Sequence, residues 1–155
     1  MSSQQGYDRL FERLDSLCEG ETDLVAVMAT IACELYHTFE QFNWVGFYRN
    51  VGGELLKIGP YQGGHGCLTI PFSRGVCGKC ARERAVQNVP DVSAAVHHIA
   101  CSATTKSELV VPILTGNGEL LAVLDIDSDS PAAFDQIDEV NLMHVSRYFT
   151  CSNKW

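Results

Sequence analysis

The residues of this chain best suited to do chemistry are thiols and carboxylates. Cys77-Gly78-Lys79-Cys80 has Cys-x-x-Cys spacing, which serves either a redox dithiol or half of a zinc knuckle. A structural zinc site wants four ligands, and the chain has no second Cys-x-x-Cys and no His-x-x-x-His. Cys67, His97, His98 and Cys101 could complete one only by meeting in the fold. A thioredoxin-type dithiol ordinarily follows an early strand of a βαβ unit, whereas here two helical stretches and a hairpin come first. Cys80 is equally compatible with packing as a small apolar residue.

Cys101 differs, because Ile99-Ala100-Cys101-Ser102-Ala103-Thr104-Thr105 sets a thiol among small residues where backbone N–H groups can point at it. A free thiol titrates near ~8.5, so a nucleophilic cysteine needs local positive potential from amides, a cation or a helix start. His97 and His98 are near enough in sequence to help, and as loop histidines they also suit a solvated or structural role.

Glu108, Asp125 and Asp127 form the acidic counterpart. If residues 107–114 and 120–127 are hairpin-paired strands, Glu108 begins one and the two aspartates end the other, on one face by the period-two rule. Three carboxylates converging near a sheet edge repel one another and raise at least one pKa unless a cation lies among them. A substrate ammonium, a metal ion, a proton-delivery role or a merely solvated acidic edge each accounts for the group. Trp44 and Tyr48, four residues apart on a strand, share a face and suit core packing or the wall of an apolar pocket.

The elements that must position these groups can be read from periodicity. Tyr7, Leu10, Phe11, Leu14, Leu17 and Cys18 recur at helical spacing, and Gly20 ends that helix. Thr22 and Asp23 can cap a second helix, residues 24–39. A hairpin follows at residues 43–49 and 54–58, broken by Gly59-Pro60; then come a glycine-rich loop, a strand at 67–71 and a short helix from Gly75 to Arg84. Residues 91–105 read as a long loop, where function tends to reside. A second hairpin turns at Thr115-Gly116-Asn117-Gly118, and Phe134 to Phe149 reads as one closing helix. Hairpin-linked strands with helices from both termini predict an α+β fold with an antiparallel sheet covered on one face.

Composition agrees with that plan. The 155 residues suit a single domain spanning 1–155, with terminal helices at about 5–40 and 134–150 and the sheet and its loops at about 43–128; 46% hydrophobic content is enough for a core. Eleven basic against nineteen acidic residues give a net charge of −8, which repels nucleic acid and anionic lipid. No apolar run approaches a membrane span, and the N-terminus lacks a signal-peptide layout, so a soluble, cytoplasmic protein is expected. In a reducing compartment seven cysteines point to thiol chemistry or metal.

Taken in order, Asn43-Trp44-Val45-Gly46-Phe47-Tyr48, Gly59-Pro60-Tyr61-Gln62-Gly63, Gly75-Val76-Cys77-Gly78, Ile99-Ala100-Cys101-Ser102-Ala103, Ser107-Glu108-Leu109-Val110-Val111-Pro112 and Val123-Leu124-Asp125-Ile126-Asp127-Ser128 resemble the free methionine-(R)-sulfoxide reductase family. The resemblance implies a single GAF domain with a six-stranded antiparallel sheet. It implies that Cys101 attacks the sulfoxide sulfur, that Cys67 is the resolving partner, and that Cys77 is a second redox cysteine. Glu108, Asp125 and Asp127 would bind the substrate ammonium and handle the proton, with Trp44 walling the methyl-sulfur end and Tyr48 close by. It further implies free methionine-(R)-sulfoxide as substrate, thioredoxin as reductant, a homodimer, and no metal or other cofactor. Cys80 departs from the family pattern, as a disulfide partner for Cys77 or as an inert thiol. The competing functions are a GAF ligand sensor, which needs no cysteine relay, and a zinc-stabilised interaction module.

Overall fold

The computed structural model describes residues 2–95 and 101–149. Helix α1 (Gln4–Leu17) is capped by Ser3, whose hydroxyl accepts from the Gly6 N–H, and α2 (Leu24–Thr38) by Asp23, whose carboxylate accepts from Val25 and Ala26 N–H. The sheet strands are β1 (Trp44–Asn50), β2 (Leu55–Gln62), β3 (Thr69–Pro71), β4 (Gln87–Val89), β5 (Ser107–Leu114) and β6 (Leu120–Ser128). Helix α3 (Gly75–Glu83) lies between β3 and β4, and α4 (Gln136–Met143) follows β6. Spatial strand order is β3-β2-β1-β6-β5-β4, with every pairing antiparallel.

The two sheet faces have separate cores because strand residues alternate. Val45, Phe47, Leu109, Val111, Leu124 and Ile126 pack under α1, α2 and α4, on which Tyr7, Leu10, Met28, Ile31 and Leu142 are buried. The terminal helices therefore cover one face, as expected. Tyr48, Val110 and Val123 face the other way, towards Val76, Cys77 and Cys80 of α3. That second face carries the chemistry.

Four expectations need correction. Gly59-Pro60 does not end its strand: β2 runs on to Gln62, because both residues oppose Phe47 alone in a bulge between Gly46 and Tyr48, where proline's missing N–H leaves no ladder bond unmade. Strand β4 goes unread in the sequence, being three residues of which only Val89 is a strong strand former, yet it pairs with Glu108–Val110. The closing helix is two pieces, α4 and a 3-10 segment at His144–Phe149, where the Ser146 hydroxyl accepts from Leu114 N–H and donates to the Pro112 carbonyl. Finally, the acidic hairpin is not at a sheet edge, since β6 is bordered by β1 and β5 by β4.

Candidate active site

Register brings the acids together. Asp127 lies opposite Glu108 on β5 and Trp44 on β1, while Asp125 lies opposite Val110 and Gly46. Because Leu124 and Ile126 point into the helical layer, Asp125 and Asp127 must point towards α3. Helix α3 supplies Cys77 from above, and donor atoms of Cys77, Glu108 and Asp125 all lie within 4.8 Å of one another. Glu108 and Asp125 are each 6% exposed and Cys77 is 3% exposed, so the group is buried within the sheet–helix interface.

Burial dominates its electrostatics. Desolvation raises the carboxyls of Glu108 and Asp127 well above the usual range, and the Asp125 charge raises both further. The Thr105 hydroxyl, donating to Asp127, works against that rise. Desolvation also pushes Asp125 up to about 7, against hydrogen bonds from Cys77 and Glu108 that favour its charged form. The thiol of Cys77 is raised by burial and then by Asp125 and Glu108, so this cysteine is held as a thiol. Three carboxyls in such a site cannot all be ionised, and the group retains at least one proton near neutral pH.

The redox pair lies beside the acids. Cys67, after the glycine-rich loop, and Cys101, in the loop leading to β5, form a disulfide with a Cα–Cα distance of 5.3 Å across 34 residues of sequence. Cys101 lines a cavity of about 20 Å³ together with Cys77, Glu108, Asp125 and Asp127, over an apolar part formed by Ile70 and Val76. That volume holds little more than one water and no amino acid. The base of the Cys101 loop is pinned by Val92 N–H to the Lys106 carbonyl and Lys106 N–H to the Ser128 carbonyl.

Cys77 and Cys80 are free thiols. Cys80, fully buried, points at the Val110 carbonyl from 3.8 Å, with burial raising its thiol. This environment matches the apolar packing role weighed from sequence. His97 and His98 lie outside the described residues.

Trp44 and Tyr48 share the site face but stand outside the cavity lining. The indole stacks with Tyr48, at 5.9 Å between ring centroids, and with Tyr61, at 5.4 Å, and its Nε1–H donates to the Gly64 carbonyl. The tyrosine of that pair on β2 was not singled out from sequence; its cross-strand pairing with Gly46 is what brings it over the indole. Gly46 is required there, since a Cβ would lie 2.2 Å from the Trp44 ring and 2.7 Å from the Tyr61 Cβ. Gly46→Ala is accordingly expected to cost about 2–3 kcal/mol by overpacking, lowering the thermal midpoint by roughly 5–10 °C. An unchanged midpoint would mean that the indole is seated elsewhere. Thr105 and Ser102 also line the cavity; their sequence signal was only their closeness to Cys101.

A six-stranded antiparallel sheet with terminal helices on one face and a buried acid–thiol site on the other is the architecture of a GAF domain, and the GAF domain family model matches residues 18–149. Within that class the similarity is closer. The free methionine-R-sulfoxide reductase of Escherichia coli is 37% identical over 145 residues, spanning 94% of this chain and 87% of that protein. The crystal structure of the Neisseria meningitidis free methionine-R-sulfoxide reductase in complex with its substrate has 38% identity and a TM-score of 0.87, covering 96% of this chain and 89% of that one. A structure described as a putative GAF sensor protein from Burkholderia vietnamiensis has 39% identity and a TM-score of 0.90, covering 100% and 97%. The chain belongs to the free methionine-R-sulfoxide reductase family of GAF domains. Among its described residues no helix is long and apolar enough to cross a membrane.

Proposed function

We propose that the protein reduces free L-methionine (R)-S-oxide to L-methionine, with Cys101 as nucleophile and Cys67 as resolving thiol. The observation that carries this reading is the Cys67–Cys101 disulfide at a cavity lined by Glu108, Asp125 and Asp127. In the reduced enzyme the Cys101 thiolate attacks the sulfoxide sulfur while the acid group supplies protons to the sulfoxide oxygen. The sulfur–oxygen bond of the substrate breaks, methionine leaves, and the oxygen remains on Cys101 as a sulfenic acid. The Cys67 thiol then displaces that oxygen as water and forms the disulfide, which an external dithiol, thioredoxin by the family resemblance, reduces at the cost of its own oxidation. With the disulfide formed, the cavity beside Cys101 is too small for an amino acid, so substrate binding belongs to the reduced enzyme.

The acids divide binding from proton handling. An ionised carboxylate receives the substrate ammonium, and a protonated one supports the sulfoxide oxygen. Trp44 and Tyr48 flank the acids and would meet the methyl-sulfur end. Cys77, held as a thiol and hydrogen-bonded to Asp125, fits a proton-positioning role better than that of a second nucleophile. A sulfoxide inside a polypeptide has no ammonium to offer buried carboxylates and brings chain that must exit, so enclosure selects the free amino acid.

The test incubates the enzyme with both epimers of free methionine sulfoxide, a peptide-bound sulfoxide, and thioredoxin with its reductase and NADPH. NADPH consumption confined to the free R epimer is expected; equal use of the peptide substrate would remove the enclosure argument. In Cys67→Ser one methionine per chain should still form in a burst, followed by impaired recycling. Undiminished thioredoxin-coupled turnover would take Cys67 out of the relay.

A further inference from the structure

One oxygen of Asp125, Oδ1, is fully buried and makes no hydrogen bond. It belongs to a side chain 94% withdrawn from solvent that lines the small cavity beside Cys77 and Glu108. A buried carboxylate oxygen without a donor is costly, and what would relieve it is a ligand that supplies positive charge. The substrate ammonium is one such ligand, but the cavity beside the disulfide admits nothing larger than a water or a bare ion.

We propose that Cys77, Glu108 and Asp125 form a binding site for a borderline divalent cation of the zinc class, and that this cation competes with the free amino acid for the same carboxylates. The donor set is one sulfur and two carboxylate oxygens, which selects zinc-like ions over magnesium or calcium, whose preference is for oxygen alone. The three donors already lie within 4.8 Å of one another. Tetrahedral ligation at about 2.0–2.3 Å sets donors roughly 3.3–3.8 Å apart, so drawing them onto one ion takes side-chain shifts of about 1 Å. Cys77 binds as the thiolate, its proton passing to solvent, and two carboxylates with one thiolate leave a dication only one charge over-compensated. No sulfur changes oxidation state. Binding of the ion stands on the donor geometry alone, whereas the competition rests on the function proposed above.

The disulfide-bonded protein isolates this site, because Cys67 and Cys101 then cannot ligate. Cys18→Ser, Cys33→Ser and Cys151→Ser together remove three further thiols, including that of the Cys33–His37 pair on α2, and leave Cys80 to be tested by its own substitution. Titration of this background with Co²⁺ should give one bound equivalent and a thiolate-to-cobalt charge-transfer band, and Zn²⁺ should displace it. Adding Cys77→Ser should abolish the band and weaken binding at least tenfold. Asp125→Asn should weaken binding at least tenfold while keeping a thiolate signature, and Cys80→Ser should change neither. Folding of each variant is checked by circular dichroism. Failure of the background to retain Co²⁺ or Zn²⁺ at micromolar concentration, or a band that survives Cys77→Ser, overturns the site.

For the competition, Cys67→Ser and Cys101→Ser are added to the same background, so that free methionine (R)-sulfoxide binds without reacting. It should displace Co²⁺ and bleach the band. A substrate that binds without displacing the metal overturns the competition. A substrate that does not bind, together with no turnover by the wild-type enzyme in chelator, is a failure of the reductase reading and leaves the metal site to the first titration.

Discussion

Cys101→Ser is expected to abolish methionine formation even in the stoichiometric first turnover, a loss of roughly 10³-fold or more. The hydroxyl keeps the shape of the side chain but is no nucleophile at neutral pH without an adjacent base. The groups lining the same cavity are a buried thiol and carboxyls with raised pKa values, engaged in the proposed reaction with the substrate ammonium and the sulfoxide oxygen, so none is left to activate a serine. The measurement is methionine released per chain on mixing the reduced protein with free methionine (R)-sulfoxide, with no reductant present.

The contrast with Cys67→Ser separates chemistry from stability. Both substitutions remove the same cross-link, which closes 34 residues of chain, so each should lower the stability of the oxidised protein by about 3–4 kcal/mol. Their first turnovers should differ completely, with one methionine per chain for Cys67→Ser and none for Cys101→Ser. If both variants give a burst, the nucleophile is another thiol, and Cys77, the remaining cysteine of the cavity lining, becomes the candidate.

Which of these features could be read from sequence depended on how local their cause is. Asp125 and Asp127 fall on one face because they are two apart on a strand, and hairpin pairing with an Asn-Gly turn fixes Glu108 opposite Asp127, so a period-two pattern carried most of the acidic site. The helical faces of α1 and α2 were legible for the same reason, each repeating within one element. The pairing of Cys67 with Cys101 was not: nothing in their spacing selects that pair from seven thiols, and it entered only through family resemblance. The environments of Cys77 and Cys80 were also hidden. Three residues apart on α3, they meet different groups of the sheet below, Cys77 the carboxyls and Cys80 the Val110 carbonyl. Strand β4 and the bulge at Gly59-Pro60 are set by partners distant in sequence, which no local propensity encodes.

The second large effect is expected from Asp125→Asn, a loss of about 10²–10³-fold in kcat/KM, the range of one acid–base group. In the wild type, binding the ammonium needs an ionised carboxylate and breaking the sulfur–oxygen bond needs a proton, so kcat/KM should fall on both sides of neutrality. Asp125, pushed up to about 7 chiefly by burial, sets one of those limbs. An amide at this position cannot titrate, and the limb near pH 7 should disappear, while Glu108→Gln should lower activity and leave it in place. Stability gives an independent reading. Because the folded pKa of Asp125 lies above its unfolded value of 3.8, the folded state holds the proton more tightly. Its contribution is fully present below the unfolded value and is lost as pH rises through about 7. Between pH 5 and pH 8 the substrate-free, oxidised wild type should therefore lose about 2–3 kcal/mol that Asp125→Asn retains. Denaturant titrations of both proteins at the two pH values measure the difference, and a gap between them independent of pH would assign the retained proton to Glu108 or Asp127 instead.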